Sequence, residues 1–164
     1  MNALLRGARR VLLPLTLLLT LAICAAPAGA ASKKFRVHPG VGIGPVSVGD
    51  TRADLDARLG SPGREGPVWA YTVREAGRTG VVKVLFGGGK AKNVFTIDPA
   101  FVYRGVRVGT DSERAIGTLR GAGFRLGRCG PGRALFLPDE RTMFGLYRGE
   151  VESIFVVRDS GTCR

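Results

Sequence analysis

Apolar residues recur along this chain in two rhythms, every second residue and every third or fourth, and the points where one rhythm gives way to the other mark the elements. Val46 and Val48 alternate with Pro45 and Ser47, the period of a short half-buried strand, and Gly49 breaks it. Thr51 with Asp54 three residues on forms a capping box, and Leu55 and Leu59, four apart, share one face of the helix that follows. Gly60 supplies a left-handed C-terminal residue and Pro62 forbids continuation, so the spacing predicts a short helix over about 51–59.

The chain then repeats itself. Val106 and Val108 alternate, Gly109 breaks the run, Thr110 with Glu113 makes the capping pair, Ile116 and Leu119 form the apolar face, and Gly121 and Gly123 stop the helix. Val46, Val48, Gly49 and Leu59 thus return as Val106, Val108, Gly109 and Leu119, at a constant offset of 60. The same offset relates Gly89, Val94, Phe95 and Ile97 to Gly149, Ile154, Phe155 and Val157. Both of these stretches read as hairpins: "VVKVLF" and "TMFGLY" enter a glycine turn and leave as "AKNVFTI" and "VESIFVV". Each copy holds one further strand, at 68–74 and 133–138.

Two unrelated units would share caps and turns, but they would not keep one offset at both ends. The pattern predicts an α+β fold: a tandem duplication of a helix plus a three-stranded antiparallel meander, with the helices packed on one face of the sheet. One such unit buries too little apolar surface to stand alone, and a second copy supplies the missing partner. The expected organisation is a leader over 1–30, a flexible basic arm over 31–40, a first repeat over 41–100 and a second over 101–164.

The leader follows from the first thirty residues. Arg6, Arg9 and Arg10 precede the apolar run "VLLPLTLLLTLAIC", and "APAGA" places small residues at Ala28 and Ala30, so a signal peptide cleaved after Ala30 is expected. The run is shorter than the ~20 residues that cross a bilayer, which disfavours an uncleaved anchor. A lipoprotein modified at Cys24 would need a small residue before it, where Ile23 stands. Cleavage leaves a secreted chain of 134 residues without a membrane span, and loss of three arginines lowers the net charge from +12 to +9. The remaining charge is spread: residues 41–100 carry 8 basic and 6 acidic groups, residues 101–164 carry 11 and 7. Such a surface predicts weak contact with anionic envelope polymers and no nucleic-acid site. The two cysteines left, Cys129 and Cys163, have one intramolecular pairing, and an oxidising compartment favours the disulfide.

Catalytic groups are scarce. The single histidine, His38, lies in the leading segment, where a Ser-His-Asp arrangement would need it held beside a nucleophile. The run "GGGK" at 87–90 lacks the Ser or Thr and the helix that a phosphate loop requires, so it reads as a hairpin turn. The acid pairs Asp54/Asp56, Asp139/Glu140 and Glu150/Glu152 read as solvated charge. No clustered His or Cys suggests a metal, and no cofactor is expected. Trp69, Tyr71 and Val73 share a strand face. Turned outward beside Arg74, the two rings would form an aromatic–arginine anchor of the kind found at protein interfaces; turned inward, they are core beneath the first helix.

Val48 and Gly49 before the capped helix, Leu59, Gly60 and Pro62 after it, and Phe86, Gly89, Lys90 and Val94 around the first hairpin resemble a known pattern. It is that of the small exported β-lactamase-inhibitory-protein-like superfamily, which includes outer-membrane-assembly lipoproteins of the SmpA/OmlA type. The second copy departs from it at Arg120, Ala122 and Glu150. The resemblance implies a helical layer on an antiparallel sheet whose other face is open to a partner, and a role in binding proteins rather than in catalysis. The matching residues are caps and turns, so no partner contact carries over. The expected function is a secreted, non-catalytic protein-binding or inhibitor-like module of a bacterial cell envelope. Trp69, Tyr71, Arg74, Gly88 and Lys90 are the candidate contacts with a protein partner. The alternatives are a structural envelope protein held by charge to anionic cell-wall polymers and, last, a hydrolase dependent on His38.

Overall fold

Strands carry most of the folded chain. A computed structural model describes residues 32–139, 141–159 and Cys163; the expected leader, its cut after Ala30, Cys24 and Glu140 lie outside the described residues. The chain enters through a 3-10 turn, Lys33–Phe35, and three short strands, β1 (Val37–His38), β2 (Gly42–Ile43) and β3 (Val46–Ser47), which pair as a small antiparallel sheet. Helix α1 (Arg52–Leu59) leads into β4 (Gly63–Glu65), β5 (Val68–Glu75), β6 (Arg78–Gly87) and β7 (Lys90–Thr96). Helix α2 (Ser112–Arg120) leads into β8 (Arg125–Cys129), β9 (Gly132–Phe136), β10 (Thr142–Tyr147) and β11 (Glu150–Val157). These eight strands make one antiparallel sheet in the order β4-β5-β6-β7-β11-β10-β9-β8.

This corrects the expected fold class. The chain is mostly β, built on one large eight-stranded sheet and a small three-stranded one, and not on helix-plus-three-stranded-meander units. Two strands account for much of the difference. β4 and β8 hold few apolar side chains, and their "GRE" and "RLGRC" show no alternation to find. Backbone pairing to β5 and β9 makes them strands. The stretch around Val46 pairs within the small sheet and does not join the large one. The segment expected as a flexible arm also enters the fold: Phe35 is fully buried with its ring 5.4 Å from that of Phe101.

Local chemistry sets the helix ends and hairpins. Thr51 and Asp54 form the reciprocal capping box at α1, and Gly60 closes it at φ 82°. At α2 the cap is Asp111, whose carboxylate accepts from the Arg114 amide, and not the expected Thr110 with Glu113. The Thr110 hydroxyl instead accepts from the Arg107 amide, one turn earlier. The β6–β7 turn places Gly88 and Gly89 at φ 60° and 76°, and the β10–β11 turn places Arg148 and Gly149 at 48° and 84°. Two positive values in a two-residue turn match the right-handed twist of the strands it joins.

One face of the large sheet, both helices and the small sheet enclose the core. Leu55 of α1 and Ala115, Ile116 and Leu119 of α2 pack with Tyr71, Val73, Val82, Val84, Val94, Leu135, Phe144, Ile154 and Val156 of the strands. Ile43 and Val46 of the small sheet, with Phe35, Phe101 and Phe124, complete it. Gly80 lies where a Cβ would meet Phe101, Ala100 and Phe35 at 2.9–3.1 Å, so the aromatic pair seats directly on β6 because this residue has no side chain. The outer strands of the sheet are treated differently. β4 is three residues long and exposed, whereas β8 carries on its outer side a bridge from Cys129 to Cys163, the two being joined by a disulfide.

Candidate functional site

The site follows from the strand register. Residues opposite one another on neighbouring strands point to the same side of a sheet. One row crosses all eight strands: Gly63, Ala70, Lys83, Phe95, Phe155, Met143, Phe136 and Arg125. Phe136, near one end of the row, is buried, and the other side chains of the row lie outside the core. They face away from both helices, and no described helix or second sheet lies over them.

This second face is apolar at its centre and basic at its ends. Phe95 and Phe155 stack with ring centroids 5.3 Å apart and planes within 16°, at the junction of β7 and β11. Leu85 and Val157 flank them, each two residues along its strand from the row. Ile97, in line with Phe95, is 54% exposed, and Tyr147 is 55% exposed with the Arg148 guanidinium 5.2 Å from its ring. Lys83 is held by Glu65 at 2.7 Å, while Arg74 and Arg125 are exposed. Towards β10 the face dips into a cleft of about 420 Å³ lined by Ala134, Met143, Gly145, Tyr147, Phe155 and the disulfide. Cys163 lies in this wall with its sulfur 3.3 Å from that of Met143.

The predicted contacts do not come together here. Tyr71 is fully buried on the helix side and donates a hydrogen bond to Asp56 Oδ1 at 2.9 Å. Burial, with that bond added, holds its phenol protonated far above the ordinary value of 10.0. Trp69 is half-buried on the same side, its ring edge-on to Phe86 with Arg52 at 3.8 Å from the centroid and Arg64 at 5.0 Å. The inward reading of these two rings is therefore the observed one, and Arg74 sits on the opposite face. Gly88 is at an exposed hairpin tip, and Lys90 opens the strand after it.

His38 is exposed on β1. Asp54 belongs to the helix cap, where hydrogen bonds from Thr51 hold its carboxyl below the usual range. Its neighbour Asp56 is engaged by Tyr71 and by Arg52 at 3.4 Å. Asp139 accepts from the Arg141 amide, and Glu150 and Glu152 are exposed. Among the described residues, no three His, Cys, Asp or Glu gather closely enough to hold a metal ion. No described helix is long and apolar enough to cross a membrane.

Phe95, Phe155, Met143 and Ile97 were missed as surface residues. The signal was present: "VVKVLF", "NVFTI" and "SIFVV" are apolar at odd and even positions alike, the mark of strands with two apolar faces.

No family model matches the chain, and no curated protein matches it. An extracellular protein containing an SCP domain, from Bacillus anthracis strain Ames, is similar over 69% of this chain at 13% identity and a TM-score of 0.43. The chain spans 44% of that protein's length. A likeness this distant carries no argument about fold or function.

Proposed function

We propose that the chain is an extracytoplasmic, non-catalytic binding module whose protein partner docks on the helix-free face of the eight-stranded sheet. The observation that carries this reading is the row Phe95, Phe155 and Met143, an apolar stripe across three neighbouring strands with no described helix or second sheet above it. A stacked aromatic pair at the centre of a patch with charged side chains around it has the anatomy of a protein interface. Arg74 and Arg125 at the rim favour a partner that presents an apolar patch edged by carboxylates. The leader-like N-terminus and the bonded cysteines support an oxidising location outside the cytoplasm. The resemblance to the β-lactamase-inhibitory-protein-like superfamily points the same way, since it implies a sheet with one face left for a partner.

The test uses residues that no core depends on. Ile97 and Tyr147 are each more than half exposed, so Ile97→Asp and Tyr147→Ala leave the fold intact. Both are expected to weaken a partner captured from envelope extract by about tenfold or more, the usual effect of truncating an interface anchor. A partner held equally by wild type and both variants would place binding elsewhere on the molecule.

A further inference from the structure

At one end of the sheet, three strand ends bring cations to a single cleft. β7 and β10 both run antiparallel to β11, so the starts of β7 and β10 lie beside the end of β11. Backbone bonds fix the register there: the Val157 amide donates to the Arg141 carbonyl, and the Arg158 amide to the Lys92 carbonyl. Lys90, Arg141 and Arg158 therefore line one cleft of about 400 Å³. Its remaining walls are Gly40 and Val41 from the β1–β2 turn, Val48 and Gly49 after β3, and Val157.

Three properties of this cleft point to a ligand. Among the described residues its lining carries three positive side chains and no carboxylate, with the Asp139 carboxylate just outside it beside Gly40. Glu140, which precedes Arg141, lies outside the described residues, and Asp139 accepts from the Arg141 amide. Among the described residues, the Lys90, Arg141 and Arg158 side chains have no ion-pair or hydrogen-bond partner, although the surface holds paired cations such as Lys83 and Arg58. The rest of the lining is apolar or backbone, with Val41 56% exposed and Val48 and Val157 beside it.

We infer that this cleft binds a phosphate ester: a phosphate group against Lys90, Arg141 and Arg158, with a small organic part over Val41, Val48 and Val157. Two arginine forks and a lysine suit a doubly charged tetrahedral anion better than a carboxylate, because the forks engage pairs of oxygens and the third charge balances the second negative one. The apolar wall and the volume leave room beyond the phosphate, which is why an ester fits better than the free ion. The site borders the proposed protein-binding face at Val157 and does not depend on that reading.

The test is an amide-resolved NMR titration of the folded chain with inorganic phosphate, glycerol 3-phosphate and acetate. Glycerol 3-phosphate is expected to saturate shifts at Val41, Gly49, Lys90 and Arg158, with phosphate weaker and acetate weaker still. Arg141→Gln and Arg158→Gln each replace exposed residues, and each should weaken glycerol 3-phosphate about tenfold, the scale of one charge-assisted contact. Arg120→Gln, an exposed arginine of α2 outside the cleft, should change nothing. Non-saturating shifts, equal loss in the Arg120 variant, or equal affinity for phosphate and its ester would each overturn the inference.

Discussion

Replacing both Cys129 and Cys163 by serine tests how the second half of the sheet is held. The bond joins the last residue of β8 to a residue beyond β11, so it closes a loop 34 residues apart that contains β9, β10 and β11. A loop of that length restricts the unfolded chain by about 4 kcal/mol in the chain-entropy treatment. Serine keeps nearly the same volume at both positions, so little native packing changes, and most of the effect comes from a freer unfolded ensemble. Four kcal/mol is a large share of the roughly 5–15 kcal/mol that stabilises a single domain. For a folded unit of this size, each kcal/mol moves the midpoint by about 3–5 °C, so the double variant should melt about 10–20 °C lower. Thermal unfolding followed by near-ultraviolet circular dichroism measures this, and wild type treated with a reductant should reproduce the variant. A shift below about 5 °C, with both transitions cooperative, would refute the reasoning. It would mean that the unfolded chain is already confined or that the bond strains the native sheet by a comparable amount.

Other consequences can be checked separately. Gly80→Ala places a methyl group against Phe101, Ala100 and Phe35, which have no room to yield in a packed core; a loss of about 1–3 kcal/mol is expected in urea unfolding. Thr51→Ala removes the hydroxyl that accepts from the Asp54 amide and should cost about 0.5–2 kcal/mol in the same assay. Tyr71 titrates above its ordinary value of 10.0 when folded, so unfolding releases its proton once the pH exceeds that value. Stability should therefore fall as pH rises above 10, and Tyr71→Phe should flatten that part of the profile. An unchanged alkaline slope in the variant would remove the Tyr71–Asp56 bond from the account.

Much of the local structure can be read from the sequence because it is written in short-range chemistry. The α1 cap at Thr51 and Asp54, its stop at Gly60 and both glycine-containing hairpins depend on neighbours within four residues, and all form where expected. The α2 cap moved by one residue because Thr110 and Asp111 are both competent caps and only the backbone path decides between them. β4 and β8 were invisible because they are strands by pairing alone, and pairing is a property of the partner strand as much as of the segment. The arm became part of the core because Gly80 opens a seat for Phe35 and Phe101 that lies 45 residues from the one and 21 from the other. For the binding face, alternation settled which residues share a side but not which side the helices cover. Trp69 and Tyr71 went under the helices because Asp56 and Arg52 of α1 supply a hydrogen bond to the phenol and a cation over the indole.

The two margins of the large sheet close it against lateral growth. β4 offers only three residues, two of them charged, and β8 has its free rim fastened by the residue beyond β11. Cutting the sulfur link would thus do more than loosen the molecule. It would release the one bridge described on the outer side of β8, at Cys129, and let that rim take a strand from another chain along its whole length, so the reduced protein should self-associate at concentrations where the oxidised one stays dispersed.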